Sequence, residues 1–293
     1  MNCMSPLRYP GGKASIANLL EDVIDLNNLR GCNYFEPYVG GAGAALKLLQ
    51  SRAVSEIYIN DADPRIYAFW SSVLYRPEQF VDAIISAPLD IAFWKKQKAI
   101  CENPQNHSQF ELGFSAFFMN RCNRSGLLLG AGPIGGMTQD SKWRLDVRFN
   151  RENLAQRILS IAQRKDAIHL YNLDAIKFLK SILPKGMKRK KVFVYLDPPY
   201  VNKADRLYLN IYEKKDHKDI ARYLIRQKSL RWLMSYDDTP LIRGLYKMLK
   251  IKHLPIRYSL QSKRLAQELV IAPNDFVLTT AFSDVEHSNF AIG

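Results

Sequence analysis

Val192-Phe-Val-Tyr-Leu-Asp-Pro-Pro-Tyr200 predicts a buried strand that ends in a rigid turn. Five apolar residues, several of them β-branched or aromatic, form the strand, and the two prolines end it because they cannot donate to a strand ladder. Asp197 and Tyr200 therefore lie at the carboxyl end of the strand, where open α/β sheets bind ligands. A carboxylate, the Pro198 carbonyl and an aromatic face suit a planar group with an NH2, such as adenine or cytosine. The alternative is a plain turn in which Asp197 caps the next helix.

A glycine-rich turn lies much earlier, in Cys32-Asn-Tyr-Phe-Glu-Pro-Tyr-Val-Gly-Gly-Ala-Gly43. The pattern predicts a strand, a turn and a helix, which is the first βα unit of a nucleotide-binding sheet. Glu36 would repel a pyrophosphate but attract a ligand with an ammonium and a sulfonium group, and S-adenosylmethionine is such a ligand. The candidate cofactor-binding residues of this unit are Glu36, Pro37, Gly40, Gly41 and Gly43.

Two further strands each end in an acidic residue. Asp61 follows a strand over residues 55–60, and a carboxylate at this position holds a ribose diol in such folds. Asp63 is expected to cap the next helix, with Pro64 at its first position. Asp174 follows a strand over residues 167–171, and two roles stay open for it: accepting from the cofactor's adenine amino group, or capping the helix that begins at Ala175.

The amino-terminal segment also offers a ligand site. Tyr9-Pro10-Gly11-Gly12-Lys13 precedes apolar residues at helical spacing. A loop that enters a helix N-terminus favours an anionic guest, with Lys13 adding charge and Tyr9 a stacking face. An ordinary turn with a solvated lysine is the equal alternative. Tyr9, Gly12 and Lys13 are candidate cofactor-binding residues.

Between residues 72 and 163 the alternation of strands and helices is lost. Helical patterns there are followed by a glycine-rich run and by Lys142–Phe149, whose alternating charged and apolar residues predict a hairpin strand. Arginine, asparagine and tryptophan side chains suit contacts to phosphates and base edges. We interpret the segment as an inserted nucleic-acid recognition domain; a polar loop region over a small helical core is the alternative. The candidate DNA-binding residues are Asn120, Arg121, Asn123, Arg124, Lys142, Arg144 and Arg148.

The composition favours a polyanionic partner. Lys and Arg number 42 against 28 for Asp and Glu, which gives a net charge of +14. No apolar run approaches the ~18 residues that span a bilayer, and no signal peptide is visible, so we expect a cytosolic protein without a membrane partner. The four cysteines are far apart, which predicts neither a zinc site nor a disulfide framework.

Three motifs occur in a characteristic order: Pro10-Gly-Gly-Lys13, then Phe35-Glu-Pro-Tyr-Val-Gly-Gly-Ala-Gly43, and, after the insertion, Asp197-Pro-Pro-Tyr200. Asp-Pro-Pro-Tyr is a signature of enzymes that methylate exocyclic amino groups. In this order the motifs make the chain resemble the Dam-type DNA adenine-N6 methyltransferases of bacterial or phage cytosol, from Leu7 to about Pro273. Family members often have Trp where Tyr9 stands, which still permits stacking, and Asn where Ser125 stands, which changes the expected base contacts. Gly132-Pro-Ile-Gly-Gly136 likewise looks like a subfamily variant, so the GATC specificity is not carried over.

The resemblance implies an α/β fold with a Rossmann-like methyltransferase sheet of about seven strands. It implies a catalytic domain over residues 1–71 and 164–293, with a mainly helical DNA-recognition insertion over residues 72–163. S-adenosylmethionine would be the donor, double-stranded DNA the partner, and no metal would be needed. The catalytic residues would be Asp197, Pro198, Pro199 and Tyr200, with Asp197 also at the cofactor. The sequence does not decide between a monomer and a weak dimer.

The expected reaction is direct in-line transfer to the N6 group of an adenine flipped out of the duplex. Hydrogen bonds to Asp197 and the Pro198 carbonyl would stabilise the positive charge that grows on nitrogen. Two other functions remain open: methylation of RNA or of cytosine N4, and a catalytically silent nucleic-acid-binding module. Substituting Arg124 would distinguish two roles. If Arg124 reads a base, the variant would lose sequence selectivity; if it contacts a phosphate, the variant would bind all sequences more weakly.

Overall fold

One mixed sheet runs through the computed structural model, which describes residues 5–8, 16–201, 212–254 and 268–285. Its strands are β1 Cys32–Glu36, β2 Val54–Asn60, β3 Ile168–Tyr171, β4 Val192–Leu196, β5 Arg231–Asp237, β6 Lys250–Leu254, β7 Glu268–Ala272 and β8 Ser283–Asp284. The order across the sheet is β3-β2-β1-β4-β5-β7-β6-β8. Strands β1 to β5 are parallel, and β7 inserts antiparallel between β5 and β6. This confirms the predicted α/β fold. The two-residue strand β8 is additional to the sheet of about seven strands that the sequence predicts.

Helices connect and flank these strands. They are α1 Ala17–Leu26, α2 Gly43–Gln50, α3 Pro64–Tyr75, α4 Pro77–Ser86, α5 Ile91–Glu102, α6 Gln109–Cys122, α7 Arg151–Ala162, α8 Ala175–Ile182, α9 Lys214–Ile225 and α10 Pro240–Tyr246. The start of α3 is as predicted, because the Asp63 carboxylate accepts from the Arg65 N–H and Pro64 takes the first position. No helix in the described ranges is both long and apolar enough to cross a membrane.

Strand β4 lies at the centre of the sheet, and all five of its residues are buried. Chain order reverses beside it: β2 and β3 extend from β1 on one side, while β4 and β5 follow on the other. The carboxyl ends of parallel strands open a crevice at such a reversal, where ligands of α/β proteins bind. The turn after β1 and the Asp197 turn after β4 both lie at this crevice.

Helices α3 to α7 share an aromatic core. Phe69 of α3 lies 5.7 Å from Phe80 of α4 and 6.0 Å from Phe117 of α6, measured between ring centroids. Gly113 lets α6 approach α3 closely, because a Cβ there would lie 2.4 Å from the Ala68 carbonyl oxygen. Helix α3 is continuous across residues 71 and 72, and these phenylalanines share one apolar cluster with sheet residues. The catalytic and recognition segments therefore share one core. The division of the chain at residues 71 and 163 stays a prediction about function.

Two predicted strands are wrong. Residues 142–149 do not form a hairpin strand; Leu145–Arg148 is a short 3₁₀ helix. Leu145 and Phe149 are buried while Trp143 is 60% exposed, so burial follows a spacing of four residues and not the alternation that the sequence suggested. The sequence also predicts a strand over Phe276 to Phe282, and that segment lacks one, because Phe276 and Phe282 reach the core from turns.

Candidate active site

The Asp197 carboxylate is oriented from the neighbouring strand. Ser235 of β5 donates from Oγ to Asp197 Oδ1 at 2.8 Å, and the Tyr195 hydroxyl is 2.7 Å from the same Ser235 oxygen. Tyr195 and Ser235 are fully buried, whereas Asp197 is partly exposed. Parallel pairing of Leu196 with Met234 sets this register, since it brings the next residue of each strand side by side. The carboxylate thus faces the crevice from a supported position.

Tyr200 is held by a second carboxylate. Its hydroxyl donates to Glu268 Oε1 at 2.5 Å, and Glu268 is only 2% exposed at the first position of β7. Burial keeps the Tyr200 ring in place, with the Tyr236 ring centroid 6.4 Å away. Sequence reasoning assigned no role to Glu268 or Ser235. An acidic residue at the head of the otherwise apolar segment Glu268-Leu-Val-Ile-Ala272 was the available signal.

Asp61 is bound by the glycine-rich turn that follows β1. Its two carboxylate oxygens accept from the Gly40 N–H at 2.9 Å and the Asp63 N–H at 3.0 Å. Burial, followed by the nearby charge of Asp63, raises the pKa of Asp61 to about 7, although the two N–H groups act in the opposite direction. Gly40 has a positive φ of 45°, and Ala42 adopts the left-handed conformation at the start of α2.

The glycine-rich turn is braced by two side chains that the sequence did not single out. The buried Asn60 amide donates to the carbonyls of Pro37 and Leu173, each at 2.9 Å, and accepts from the Leu173 N–H at 2.9 Å. Trp70 of α3 donates from Nε1 to the Gly40 carbonyl at 2.9 Å. These bonds tie together the ends of β1, β2 and β3, so the turn is preorganised.

Several carboxylates converge at this edge of the sheet. Glu36 is 3% exposed and accepts from the Tyr34 hydroxyl at 3.1 Å. Burial, and then the charges of Asp197, Glu268 and Glu36, raise the pKa of the Tyr195 hydroxyl well above its ordinary value. All three carboxylates thus act on this buried phenol in the same direction. In a protein of net charge +14, this local acidity suits a cationic ligand.

The other predicted cofactor residues have different positions. Asp174 caps α8, since Oδ1 accepts from the N–H groups of Ile176 and Lys177, each at 3.0 Å. Of the two roles predicted for Asp174, the structure therefore shows the helix cap. Tyr9, Gly12 and Lys13 lie outside the described residues.

Asn120 and Asn123 lie inside the protein and do not reach a DNA surface. Both are 0% exposed. The Asn120 amide bonds to the backbone of Arg8 and Gly126, and Asn123 accepts from Trp94 Nε1 at 2.8 Å and donates to the Leu127 carbonyl at 2.7 Å. The sequence predicts that both side chains contact DNA. In the structure their polar atoms instead bond to other groups of the protein and hold the loop after α6.

The basic candidates are more accessible. Arg124, Lys142, Arg144 and Arg148 are exposed, and the Lys142 ammonium lies 5.4 Å from the centre of the exposed Trp143 ring. Arg121 is half-buried and donates from Nε to the Arg148 carbonyl at 2.6 Å. Burial, and then the charges of Arg8 and Arg157, lower the pKa of Arg121 to about 10. This face is therefore a crowded cationic surface.

No group of three or more His, Cys, Asp or Glu side chains within the described ranges is arranged to hold a metal ion.

Comparisons with known proteins bear on the family of this chain. A family model described as D12 class N6 adenine-specific DNA methyltransferase matches residues 9–260. The chain is 22% identical over 272 residues to the Type II methyltransferase M1.LlaDCHI of Lactococcus lactis subsp. cremoris, covering 89% of this chain and 82% of that protein. A conserved hypothetical protein of Streptococcus pyogenes aligns with a TM-score of 0.34 and 10% identity, covering 87% of this chain and 96% of that one. Because the family model matches most of the chain, the protein belongs to the D12 class of N6 adenine-specific DNA methyltransferases.

Proposed function

We propose that this DNA adenine methyltransferase uses S-adenosylmethionine to methylate N6 of a flipped-out adenine within a short duplex sequence. The observation that carries the proposal is the Asp197 carboxylate, oriented by Ser235 and Tyr195 at the same edge of the sheet as the buried Glu36. An acceptor that is already oriented stabilises positive charge without reorganising during the reaction. Methylation of an amino group creates such a charge.

The cofactor half of the crevice fits S-adenosylmethionine. When bound, that molecule supplies an electrophilic methyl group on a sulfonium centre. Asp61 would accept from the ribose hydroxyls, and Glu36 would face the cationic part of the ligand. The glycine-rich turn allows close approach of the backbone because no Cβ intervenes at Gly40 or Gly41. By the resemblance of the sequence motifs, Tyr9, Gly12 and Lys13 would contact the same ligand.

The other half would hold the target base. Asp197 and the Pro198 carbonyl would accept the two N6 hydrogens, while Pro199 keeps the turn rigid and Tyr200 stacks on the ring. Because N6 is paired inside a duplex, the adenine must leave the stack first, at a cost of a few kcal/mol. Hydrogen bonding to Glu268 fixes the ring on which the base would stack.

The exposed basic residues would bind the duplex. Arg124, Lys142, Arg144 and Arg148 stand on the surface formed by the loop after α6 and the segment before α7. Trp143, 60% exposed, offers an apolar face among them. Arginine and lysine side chains bind phosphates and can also reach base edges, so this surface supplies both affinity and sequence selection.

Methyl transfer from isotopically labelled S-adenosylmethionine to unmethylated duplex DNA tests the proposal. We expect N6-methyladenine as the labelled nucleoside, at positions that share one short motif when single molecules are mapped. N4-methylcytosine in place of N6-methyladenine, or label found only in RNA, would contradict the proposal. A protein that binds S-adenosylmethionine and DNA without transfer would instead be a silent binding module.

The pKa of Asp61 predicts how cofactor binding depends on pH. A carboxyl with a pKa near 7 is largely protonated at pH 6 and ionised at pH 8, and the ribose hydroxyls prefer the carboxylate. Affinity for S-adenosylmethionine should therefore rise from pH 6 to pH 8. Calorimetry at pH 7 in buffers of different ionisation enthalpy should detect proton release on binding.

Asp61→Asn is the control for this prediction, because the cofactor's α-amino group itself titrates near 7.7–8.0. The part of the pH dependence that belongs to Asp61 should disappear in the variant. The raised pKa also means that the folded state holds this proton more tightly than the unfolded state, whose aspartate titrates near 3.8, so stability is lost progressively as the pH rises from about 4 to above 7. Asp61→Asn should accordingly raise the melting temperature of the unliganded protein more at pH 8 than at pH 5. An unchanged pH profile in the variant would remove Asp61 from the cofactor site.

A further inference from the structure

A four-residue strap, Ser5–Arg8, connects the cofactor turn to the DNA-recognition loop. At one end the Ser5 hydroxyl donates to the carbonyl of Gly41, in the glycine-rich turn. Ser5 is 4% exposed, and Leu7 is anchored in the core at 6% exposure. The strap is therefore packed against the cofactor half of the crevice.

The other end of the strap is fixed by Asn120, which lies in the last turn of α6. The Asn120 side chain accepts from the Arg8 N–H at 2.6 Å and donates to the Arg8 carbonyl at 2.7 Å. The same amide donates to the Gly126 carbonyl at 2.8 Å, in the loop that carries Arg124. Gly126 lies so close that a Cβ there would stand 2.6 Å from the Arg8 carbonyl oxygen. One buried amide thus joins the strap and the recognition loop.

Two arginines form further hydrogen bonds to the backbone of the strap. Arg157 donates to the Ser5 carbonyl at 3.0 Å, and Arg121 donates to the Pro6 carbonyl at 3.4 Å. Together with Arg8 and Arg148 they place four cations around the strap, and none of the four forms an ion pair in the part of the chain that the structure describes. Mutual repulsion opposes this packing, so an approaching DNA phosphate would stabilise it.

We propose that Asn120 is a positioning residue that couples the two ligands through the strap, so that target DNA increases the affinity of the cofactor turn for its ligand. The coupling rests on the proposed function of each half of the crevice. DNA that orders the loop around Arg124 and Gly126 fixes Arg8, and the same four residues hold the Gly41 carbonyl. By linkage, DNA that favours the state in which the strap is bonded at both ends also favours cofactor binding to that state, and the effect is reciprocal.

Calorimetric titration with S-adenosylhomocysteine, which cannot transfer a methyl group, tests this coupling. The Kd is measured alone, with an excess of a duplex that carries the mapped methylation motif, and with a duplex of scrambled sequence. For the wild type we expect the motif duplex to lower the Kd by on the order of 10-fold. Ser5→Ala removes the bond to Gly41, and the effect of the duplex should fall to about 3-fold or less.

Ser115→Ala is the matched control. Its hydroxyl is equally buried, lies on α6 and donates to the Gln97 carbonyl at 2.9 Å, but it does not touch the strap. This variant should keep the wild-type effect of the duplex. Asn120→Asp, a second test at the opposite end, retains the acceptor for the Arg8 N–H and loses the NH2 donors. The double variant should lose no more coupling than the single variants do, because Ser5→Ala and Asn120→Asp act through the same strap.

A wild type whose Kd is the same with and without the motif duplex would overturn the coupling, as would full coupling in both single variants or additive losses in the double variant. Methyl transfer by the same preparations separates this result from the function itself. Transfer without coupling refutes only the role of the strap, whereas absence of transfer to DNA refutes the proposed function.

Discussion

Replacing Asp197 by alanine should reduce the single-turnover rate of methyl transfer by about 100- to 1000-fold, the loss typical of a removed preorganised electrostatic group. In the proposed mechanism, the substitution removes both the hydrogen-bond acceptor and the negative charge that would face the N6 nitrogen as it becomes positive. Asp197→Asn removes the charge and keeps an oxygen for the Ser235 hydroxyl, so its rate should lie between those of wild type and alanine variant. Rapid-quench measurement with labelled S-adenosylmethionine gives the rates.

Asp238→Asn is the control for this experiment. It removes a carboxylate from the same edge of the sheet, just after β5, but that carboxylate is paired with Arg243 at 2.6 Å. We expect near wild-type transfer from it. All variants should unfold cooperatively and bind S-adenosylhomocysteine. Wild-type turnover by folded Asp197→Ala would show that this carboxylate does not act in the reaction.

Replacing Tyr200 by alanine should weaken capture of the flipped adenine by about 5- to 150-fold, since stacking of a base on an aromatic ring contributes roughly 1–3 kcal/mol. Tyr200→Phe keeps the ring and loses the hydrogen bond to Glu268, so it should retain most of the capture. A duplex with 2-aminopurine at the target position reports extrusion of the base as increased fluorescence.

The pair of Tyr200 variants separates stacking from positioning. If phenylalanine lowers the fluorescence change as much as alanine does, the hydroxyl bond to Glu268 is the important contribution and the ring is not. If neither variant changes fluorescence or the transfer rate, Tyr200 does not hold the base. The single-turnover rate at saturating DNA should fall less than the apparent affinity, because the ring contacts the base before as well as during the reaction.

Local chemistry made much of the protein readable from its sequence. A short apolar run closed by two prolines specifies a buried strand and a rigid turn wherever it lies, and the glycine-rich turn before α2 is equally local. The helix start at Asp63 and Pro64 was predictable for the same reason, since capping involves only neighbouring residues. The family motifs added the reaction and the order of its parts, and the assigned roles of the site residues stay predictions.

Tertiary structure alone decided which distant residues support the site. Glu268 meets Tyr200, and Ser235 meets Asp197, because β7 and β5 take particular places and directions in the sheet. Asn120 is polar and lies next to arginines, which suggested DNA, yet folding around residues 5–8 buries it among backbone groups to which its side chain is hydrogen-bonded. The sequence by itself determined the strand, the turns and the chemistry they carry. Which polar side chain faces a ligand and which holds the backbone depends on long-range packing, and no local pattern encodes it.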